Sequence, residues 1–181
     1  MEKKYYEIYK KITEYGTIII HRHIRPDGDA IGSQVGLREA IKQSFPYKKV
    51  LMVGDTNSRF DFIYKSDEIK DSDYNQALVI ILDSGEESMI SDERYKLARY
   101  KIRIDHHMFK EKIGDLELID ADEISCSTIV AKLIFNNKMR LNSLGAKALF
   151  LGMVTDSGRF RYDGLTQENF EIAGKLINYG F

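Results

Sequence analysis

The chain has 181 residues, of which 43% are hydrophobic and 30% are charged, the composition of an ordinary globular protein. This length suits one domain with a proper core, and two independent domains would be cramped. With 27 Lys and Arg against 28 Asp and Glu, the net charge of −1 argues against a surface built to coat long duplex nucleic acid. Small anionic substrates remain compatible, because bound metal ions supply positive charge locally.

The cellular compartment is constrained by the cysteine count and by the absence of long apolar runs. Cys126 is the one cysteine, so no intrachain disulfide forms, which suits a reducing compartment. No apolar run approaches the roughly 20 residues that a membrane span needs. Residues 1–11 lack the apolar core of a signal peptide. We therefore expect a soluble, cytoplasmic protein with no membrane partner.

The predicted elements alternate between helices and strands along the chain. Residues 2–15 carry apolar side chains at helical spacing and predict an amphipathic helix. The β-branched run 17–20 predicts a buried strand, and a Pro/Gly loop then leads into a helix over about 29–43. Further strands are predicted at 49–53, 77–82, 101–104 and 116–119, and further helices at 92–99, 129–135, 144–154 and 166–179. This alternation predicts an open, mainly parallel α/β sheet flanked by helices.

Acidic residues and histidines follow three of the predicted strands, and one more acid ends an apolar helix. In open α/β sheets, ligands bind outside the carboxyl ends of the strands. If the sheet is parallel, these side chains converge at one edge. The candidates are His23, Asp27, Asp29, Asp83, Asp105, His106, His107 and Asp156.

These residue types in this grouping predict a metal centre. Mixed imidazole and carboxylate ligands suit Mn²⁺, Fe²⁺, Co²⁺ or Zn²⁺, whereas all-oxygen sites favour Mg²⁺ or Ca²⁺. Four aspartates and two histidines are enough to hold two metals with one carboxylate between them. Paired metals roughly 3.5–4 Å apart generate a hydroxide and stabilise an in-line phosphoryl displacement. Gly28 is expected to allow a sharp backbone turn between Asp27 and Asp29.

Four segments resemble the motifs of the DHH phosphoesterases. HIRPDGDAIGS is similar to motif I, LDSG to motif II, IDHH to the motif that names the family, and VTDSGRFRY to motif IV. They occur in the family's order, and the resemblance covers essentially the whole chain. The most similar subgroup is the bacterial nanoRNase/pAp-phosphatase proteins. The resemblance implies Mn²⁺-dependent, two-metal hydrolysis of short oligoribonucleotides, pAp-type nucleotides or linear dinucleotides.

The resemblance also implies a role for each site residue. His23 and Asp27 would bind the first metal, Asp29, His106 and Asp156 would bind the second, and Asp83 would bridge both. His107 would face the scissile phosphate as a hydrogen-bond donor or proton carrier, and Asp105 would orient the neighbouring histidines. Arg59 and Arg159 are weaker candidates for phosphate contacts. For both residues, a structural ion pair is expected at least as strongly as a phosphate contact. His21 and Cys126 are predicted to be structural.

Other interpretations remain open. An inorganic pyrophosphatase uses the same kind of metal loop, and a nucleotide-binding module with a decayed centre is the alternative outside the enzymes. A RecJ-like exonuclease fits the near-neutral charge less well. The expected partner is a small nucleotide or a short single-stranded RNA, and a homodimer is compatible with the sequence.

The resemblance further implies a domain organisation. Members of the family continue into a smaller substrate-binding domain called DHHA1, which carries a glycine- and histidine-rich motif. Gly-Gly-Gly-His does not occur in this sequence, which ends at Phe181. We expect residues 1–181 to form the metal-binding catalytic domain, with DHHA1 absent from the chain.

Overall fold

The fold is built around a parallel sheet. A computed structural model describes residues 1–55 and 57–181. The strands are β1 (Thr17–His21), β2 (Lys49–Met52), β3 (Leu78–Leu82), β4 (Tyr100–Asp105) and β5 (Leu116–Ile119). They lie in the order β2-β1-β3-β4-β5, and every neighbouring pair is parallel. The prediction of an open, parallel α/β sheet is confirmed.

In the described residues, five helices lie on one side of this sheet. They are α1 (Glu2–Glu14), α2 (Gly28–Ser44), α3 (Cys126–Asn136), α4 (Ser143–Asp156) and α5 (Gln167–Ile177). Their inner residues share one core with alternate strand residues such as Ile18, Ile80 and Ile104. Within the described part of the chain, no helix is both long and apolar enough to cross a membrane.

The other face of the sheet carries a smaller core under short 3₁₀ turns. Ile19, Val79 and Ile81 pack there against Tyr74 and Tyr95. The helix predicted over 92–99 is a 3₁₀ turn of Glu93–Leu97. The sequence pattern misleads here because the buried residues of this segment, Tyr95 and Ala98, are three apart, a spacing that fits a 3₁₀ turn as well as an α-helix.

His21 ends β1 inside this second core. Its side chain is fully buried, and its Nε2 lies 3.0 Å from the Tyr74 hydroxyl. Its ring packs beside Tyr74 and Tyr95, whereas the site residues follow the end of β1. The structure agrees with a structural role for this histidine.

A candidate metal centre at the carboxyl edge of the sheet

The predicted metal ligands converge at the carboxyl ends of β1, β3 and β4. Three overlapping groups have ligand atoms that all lie within 4.8 Å of one another. The first comprises His23, Asp27 and Asp83, the second Asp29, His106 and Asp156, and the third Asp83, His106 and His107. The first two groups correspond to the two ligand sets expected from the sequence.

Asp83 lies between these two groups. Its Oδ2 is 3.4 Å from the Nε2 of His23, and its Oδ1 is 3.4 Å from the Nε2 of His106. The side chain is only 2% exposed, yet Oδ1 has no hydrogen-bond partner. Buried carboxylate oxygens rarely go without a partner. A cation between Asp83 and each histidine would satisfy both oxygens.

The backbone of Asp83 is also unusual. Its φ of +51° is left-handed, a conformation that costs energy in most residues and concentrates at functional sites. Its N–H donates to the carbonyl of Ile104 at 3.0 Å, which ties the end of β3 to β4. The strained turn directs the carboxylate between the two histidines.

The outer ring nitrogens of both histidines lie beside backbone carbonyls. The Nδ1 of His23 is 2.7 Å from the carbonyl of Ile24, and the Nδ1 of His106 is 3.3 Å from that of Glu123. An imidazole that donates from Nδ1 leaves the Nε2 lone pair free, as metal-binding histidines usually do. Both rings therefore present a ligand atom to the centre.

The electrostatics of the cluster also favour the binding of a cation. Burial lowers the pKa of His23 and of His106, but neighbouring carboxylates, Asp83 among them, outweigh it and raise each pKa to about 10. Burial, reinforced by Asp83, raises the pKa of Asp156 to about 6. Burial also raises the pKa of Asp29 well above its usual range, and Asp83 and Asp156 add to this. Metal ions in place of these protons would let the carboxylates ionise together.

The N-terminus of α3 holds Asp29 in place. The backbone N–H of Cys126 donates to its Oδ2 at 2.7 Å, and that of Ser127 donates to its Oδ1 at 2.9 Å. The positive end of the α3 dipole favours the carboxylate at this position. The sequence predicts a purely structural role for the side chain of Cys126. Its thiol is buried and donates a hydrogen bond to the carbonyl of Ile104. Its backbone N–H, in addition, orients Asp29, a candidate metal ligand.

Asp27 and Gly28 join the first motif to helices α2 and α4. Asp27 caps α2 by accepting hydrogen bonds from the N–H groups of Asp29 and Ala30, while its Oδ1 lies 3.8 Å from His23. Gly28 was expected to serve a sharp turn, but its φ is not positive. A Cβ at Gly28 would instead lie 2.3 Å from the Oγ1 of Thr155. The glycine is thus required because α4 approaches closely, which brings Asp156 to the centre.

His107 is held by a buried chain of charges. Its Nδ1 lies 2.7 Å from Asp105, whose other oxygen accepts from Arg103 at 2.6 Å. Asp105 therefore orients His107 alone, whereas Glu123 orients His106. In the third ligand group it is the Nδ1 of His107 that faces Asp83, at 3.7 Å, and Asp105 already occupies that atom, so this group fits a metal less well than the other two. Arg103 was not singled out by the sequence, although a charge inside the buried strand β4, two residues before Asp105, was a usable signal.

A cavity of about 550 Å³ opens over this cluster. Its floor holds six of the predicted residues, His23, Asp27, Asp83, His106, His107 and Asp156. Its wall holds five that were not predicted, Gly85, Glu86, Met89, Met108 and Lys110. The wall residues follow Asp83 and His107 closely in the chain. This proximity is the sequence feature from which their place in the cavity could have been predicted.

The two weaker arginine candidates lie elsewhere. Neither Arg59 nor Arg159 is among the residues that line the cavity. Arg59 sits in a 3₁₀ turn of Ser58–Phe60 with its guanidinium 5.9 Å from the centre of the Phe60 ring. Arg159 has a left-handed φ of +65° just after α4. A substrate contact for either residue stays a prediction.

Comparison with known proteins agrees with this arrangement. Residues 17–153 match the model of the DHH family, N-terminal domain. The chain belongs to the DHH family. The matched range runs from β1 into α4 and contains every candidate ligand except Asp156, which follows it by three residues.

Two curated relatives of this DHH chain come from Streptococcus mutans and Bacillus subtilis. The first, named "probable bifunctional oligoribonuclease and PAP phosphatase NrnA", is 40% identical over 96% of this chain and 56% of its own length. The second, named "bifunctional oligoribonuclease and PAP phosphatase NrnA", is 37% identical over 97% of this chain and 57% of its own length. The chain thus spans little more than half the length of these relatives.

A solved structure shares the whole fold. The crystal structure of an exopolyphosphatase-related protein from Bacteroides fragilis superposes with a TM-score of 0.87 at 25% identity. The match covers 100% of this chain and 58% of that protein. The similarity to this structure therefore extends over every element described above.

Proposed function

We propose that this DHH chain is the metal-binding catalytic domain of a phosphoesterase that hydrolyses short oligoribonucleotides, pAp-type nucleotides or linear dinucleotides with two divalent metal ions. The position of Asp83 carries the proposal, because its two oxygens face one histidine each. The names of the relatives from Streptococcus mutans and Bacillus subtilis support the oligoribonucleotide and pAp-type substrates.

The donor set indicates which residues would hold each metal. His23, Asp27 and Asp83 form one ligand set, and Asp29, His106 and Asp156, together with Asp83, form the other. Imidazole mixed with carboxylate suits Mn²⁺, Fe²⁺, Co²⁺ or Zn²⁺, and among these we propose Mn²⁺, the ion that the family resemblance implies. When bound, such a pair of ions supplies a hydroxide nucleophile and neutralises the phosphate that is being cleaved.

The remaining chemistry belongs to His107. It lines the cavity, and Asp105 holds its Nδ1, which leaves Nε2 for the substrate. The hydrogen bond to Asp105 also raises the pKa of His107. A protonated imidazole in this position donates a hydrogen bond to a phosphate oxygen and delivers a proton to the leaving group. Arg103 and Asp105 act behind it by fixing the orientation of the ring.

The decisive test compares the chain with its Asp83→Asn variant. Asn tolerates the left-handed backbone at this position, so the fold should be retained while the negative charge is lost. We expect Mn²⁺-dependent release of nucleotide from a 5′-phosphorylated RNA dinucleotide and of phosphate from pAp. In the variant, both activities and the tight binding of Mn²⁺ should fall to background.

Other outcomes would support other functions. Cleavage of inorganic pyrophosphate in preference to both nucleotides would favour a pyrophosphatase. A chain that binds no Mn²⁺ in a calorimetric titration would favour a module with a decayed centre. Hydrolysis that persists with a chelator and without added metal would contradict the proposal outright.

A further inference from the structure

The wall of the cavity differs in character from its floor. The floor is a cluster of carboxylates and histidines, whereas the wall includes two methionines, Met89 and Met108. Met108 is 78% exposed and adds little to the core. A cavity of about 550 Å³ falls in the range that encloses whole small-molecule ligands. It leaves room for a further group beside a phosphate.

Two loops form this wall, and an ion pair and several hydrogen bonds hold them together. Glu86 in the loop after β3 forms an ion pair with Lys110 in the loop after β4. The N–H of Glu87 donates to Glu111 at 2.7 Å. Arg103 donates to the carbonyls of both Gly85 and Glu111. The two loops are therefore held as one unit.

The same wall is fixed to the metal cluster. The carbonyl of Met89 accepts a hydrogen bond of 2.7 Å from the N–H of Ile24, the residue after His23. On the other side, a Cβ at Gly85 would lie 3.3 Å from the Cβ of His107, so the loop after β3 passes directly over that histidine. A preorganised wall of this kind costs little further ordering when a ligand binds.

The charge of the wall limits what it can hold. Among the residues described as lining the cavity, Lys110 is the one Lys or Arg side chain, and Glu86 already pairs with it. A second phosphate would find no uncompensated cation there. A flat, uncharged and polarisable group suits two methionines much better, since sulfur makes favourable contacts with aromatic rings.

We propose that Met89 and Met108 form a nucleobase subsite, which holds the base of the nucleotide whose phosphate lies at the metal cluster. The inference rests on the proposed function and adds to it a site for the base of the substrate. Contact through the face of a ring does not read the hydrogen-bonding edge of a base. The subsite therefore accepts purines and pyrimidines with little preference.

The test measures binding rather than turnover. Titration calorimetry on the Mn²⁺-loaded chain compares adenosine 5′-monophosphate, uridine 5′-monophosphate and ribose 5-phosphate, which lacks a base. Both nucleotides should bind about 5- to 10-fold more tightly than ribose 5-phosphate, given the size of sulfur–aromatic contacts. The Met89→Ala/Met108→Ala double variant should lose this advantage while its affinity for ribose 5-phosphate stays unchanged.

Two further variants separate subsite loss from general damage. Met108→Leu keeps an apolar side chain of similar volume and should retain most of the advantage of the nucleotides. Leu97→Ala removes another exposed apolar side chain outside the cavity and should bind all three ligands as the parent chain does. Thermal unfolding of each variant checks that the fold is intact.

Three results would overturn the subsite. They are equal affinity of the parent chain for all three ligands, equal loss of affinity for all three in the double variant, and no saturable nucleotide binding in the millimolar range. A failure of the proposed function looks different, because the parent chain would then fail to bind Mn²⁺ in the titration that precedes the addition of nucleotide.

Discussion

His106 and His107 are neighbours in the chain but differ in what holds each ring. The Nδ1 of His106 lies beside the carbonyl of Glu123, while the Nδ1 of His107 lies beside the carboxylate of Asp105. The first contact leaves Nε2 facing Asp83 and Asp156 at 3.4 Å. The second leaves the ring as a charged or donating group at the cavity. We therefore propose a ligand role for His106 and a catalytic role for His107, its neighbour in the chain.

This difference predicts that two matched substitutions affect different quantities, Mn²⁺ affinity in one case and kcat in the other. His106→Asn should weaken Mn²⁺ binding by at least about 10-fold, because it removes a ligand atom, a larger loss than that of a hydrogen-bond partner behind a ligand. His107→Asn should leave Mn²⁺ affinity within about twofold and lower kcat by about 10²- to 10⁴-fold, the usual size of a general-acid contribution. Calorimetry and steady-state kinetics on a nucleotide substrate separate the two effects. Strong loss of Mn²⁺ affinity in His107→Asn would instead support the ligand group of Asp83, His106 and His107.

At the level of elements, the contact between α3 and α4 controls the position of Asp29. The first turn of α3 donates two backbone hydrogen bonds to that carboxylate. Gly152 of α4 packs against the same place, and a Cβ there would lie 2.0 Å from the Oγ of Ser127 and 2.7 Å from the Oδ1 of Asp29. A small side chain is therefore required where these helices meet the metal cluster.

Gly152→Ala should displace Asp29 and weaken binding at the second metal position by about 10- to 100-fold, as loss of support behind a ligand usually does. Gly174→Ala in α5 is the matched control, since nothing lies within 4 Å of its added Cβ. The control should leave Mn²⁺ binding unchanged and stabilise the fold by about 0.5–1 kcal/mol. Calorimetric titration and thermal unfolding measure both effects. Unchanged metal binding in Gly152→Ala would show that the helix contact does not support the site.

For the whole molecule, the candidate metal centre is expected to lower the stability of the fold when no metal is bound. Asp29 and Asp83 are almost fully buried among other acids, and crowded carboxylates oppose folding unless positive charge neutralises them. The sheet, the α3 N-terminus and the close approach of α4 hold them together nonetheless. Binding of metal should relieve this cost.

We therefore expect Mn²⁺ to raise the melting temperature of the chain in a concentration-dependent way. At 100 times the dissociation constant, one bound ion stabilises the fold by about 2.7 kcal/mol. For a chain of this size that corresponds to an increase of about 5–10 °C. A chelator should reverse the effect, and Asp83→Asn should show little of it. A melting temperature that Mn²⁺ does not change would argue against a preformed metal centre.

The strand ends and their chemical residues could be read from the sequence. The buried runs of β1 and β3 are strongly apolar, β4 alternates apolar and charged residues, and each strand leads into a carboxylate or a histidine. Parallel pairing then brings those ends together without further information. The helix predicted over 92–99 is a shorter 3₁₀ helix, Glu93–Leu97, and the sequence does not distinguish the two because both bury residues at nearly the same spacing.

The sequence by itself determined the fold class and the set of eight candidate residues, because hydrophobic periodicity and strand-end placement are local properties. Only the tertiary structure decided how Asp83 divides its oxygens between His23 and His106, and that Asp105 serves His107 alone. It alone brought the backbone of α3 to Asp29 and the two methionines to the cavity. Those relations join residues that are distant in the chain, and the path of the packed backbone sets their distances.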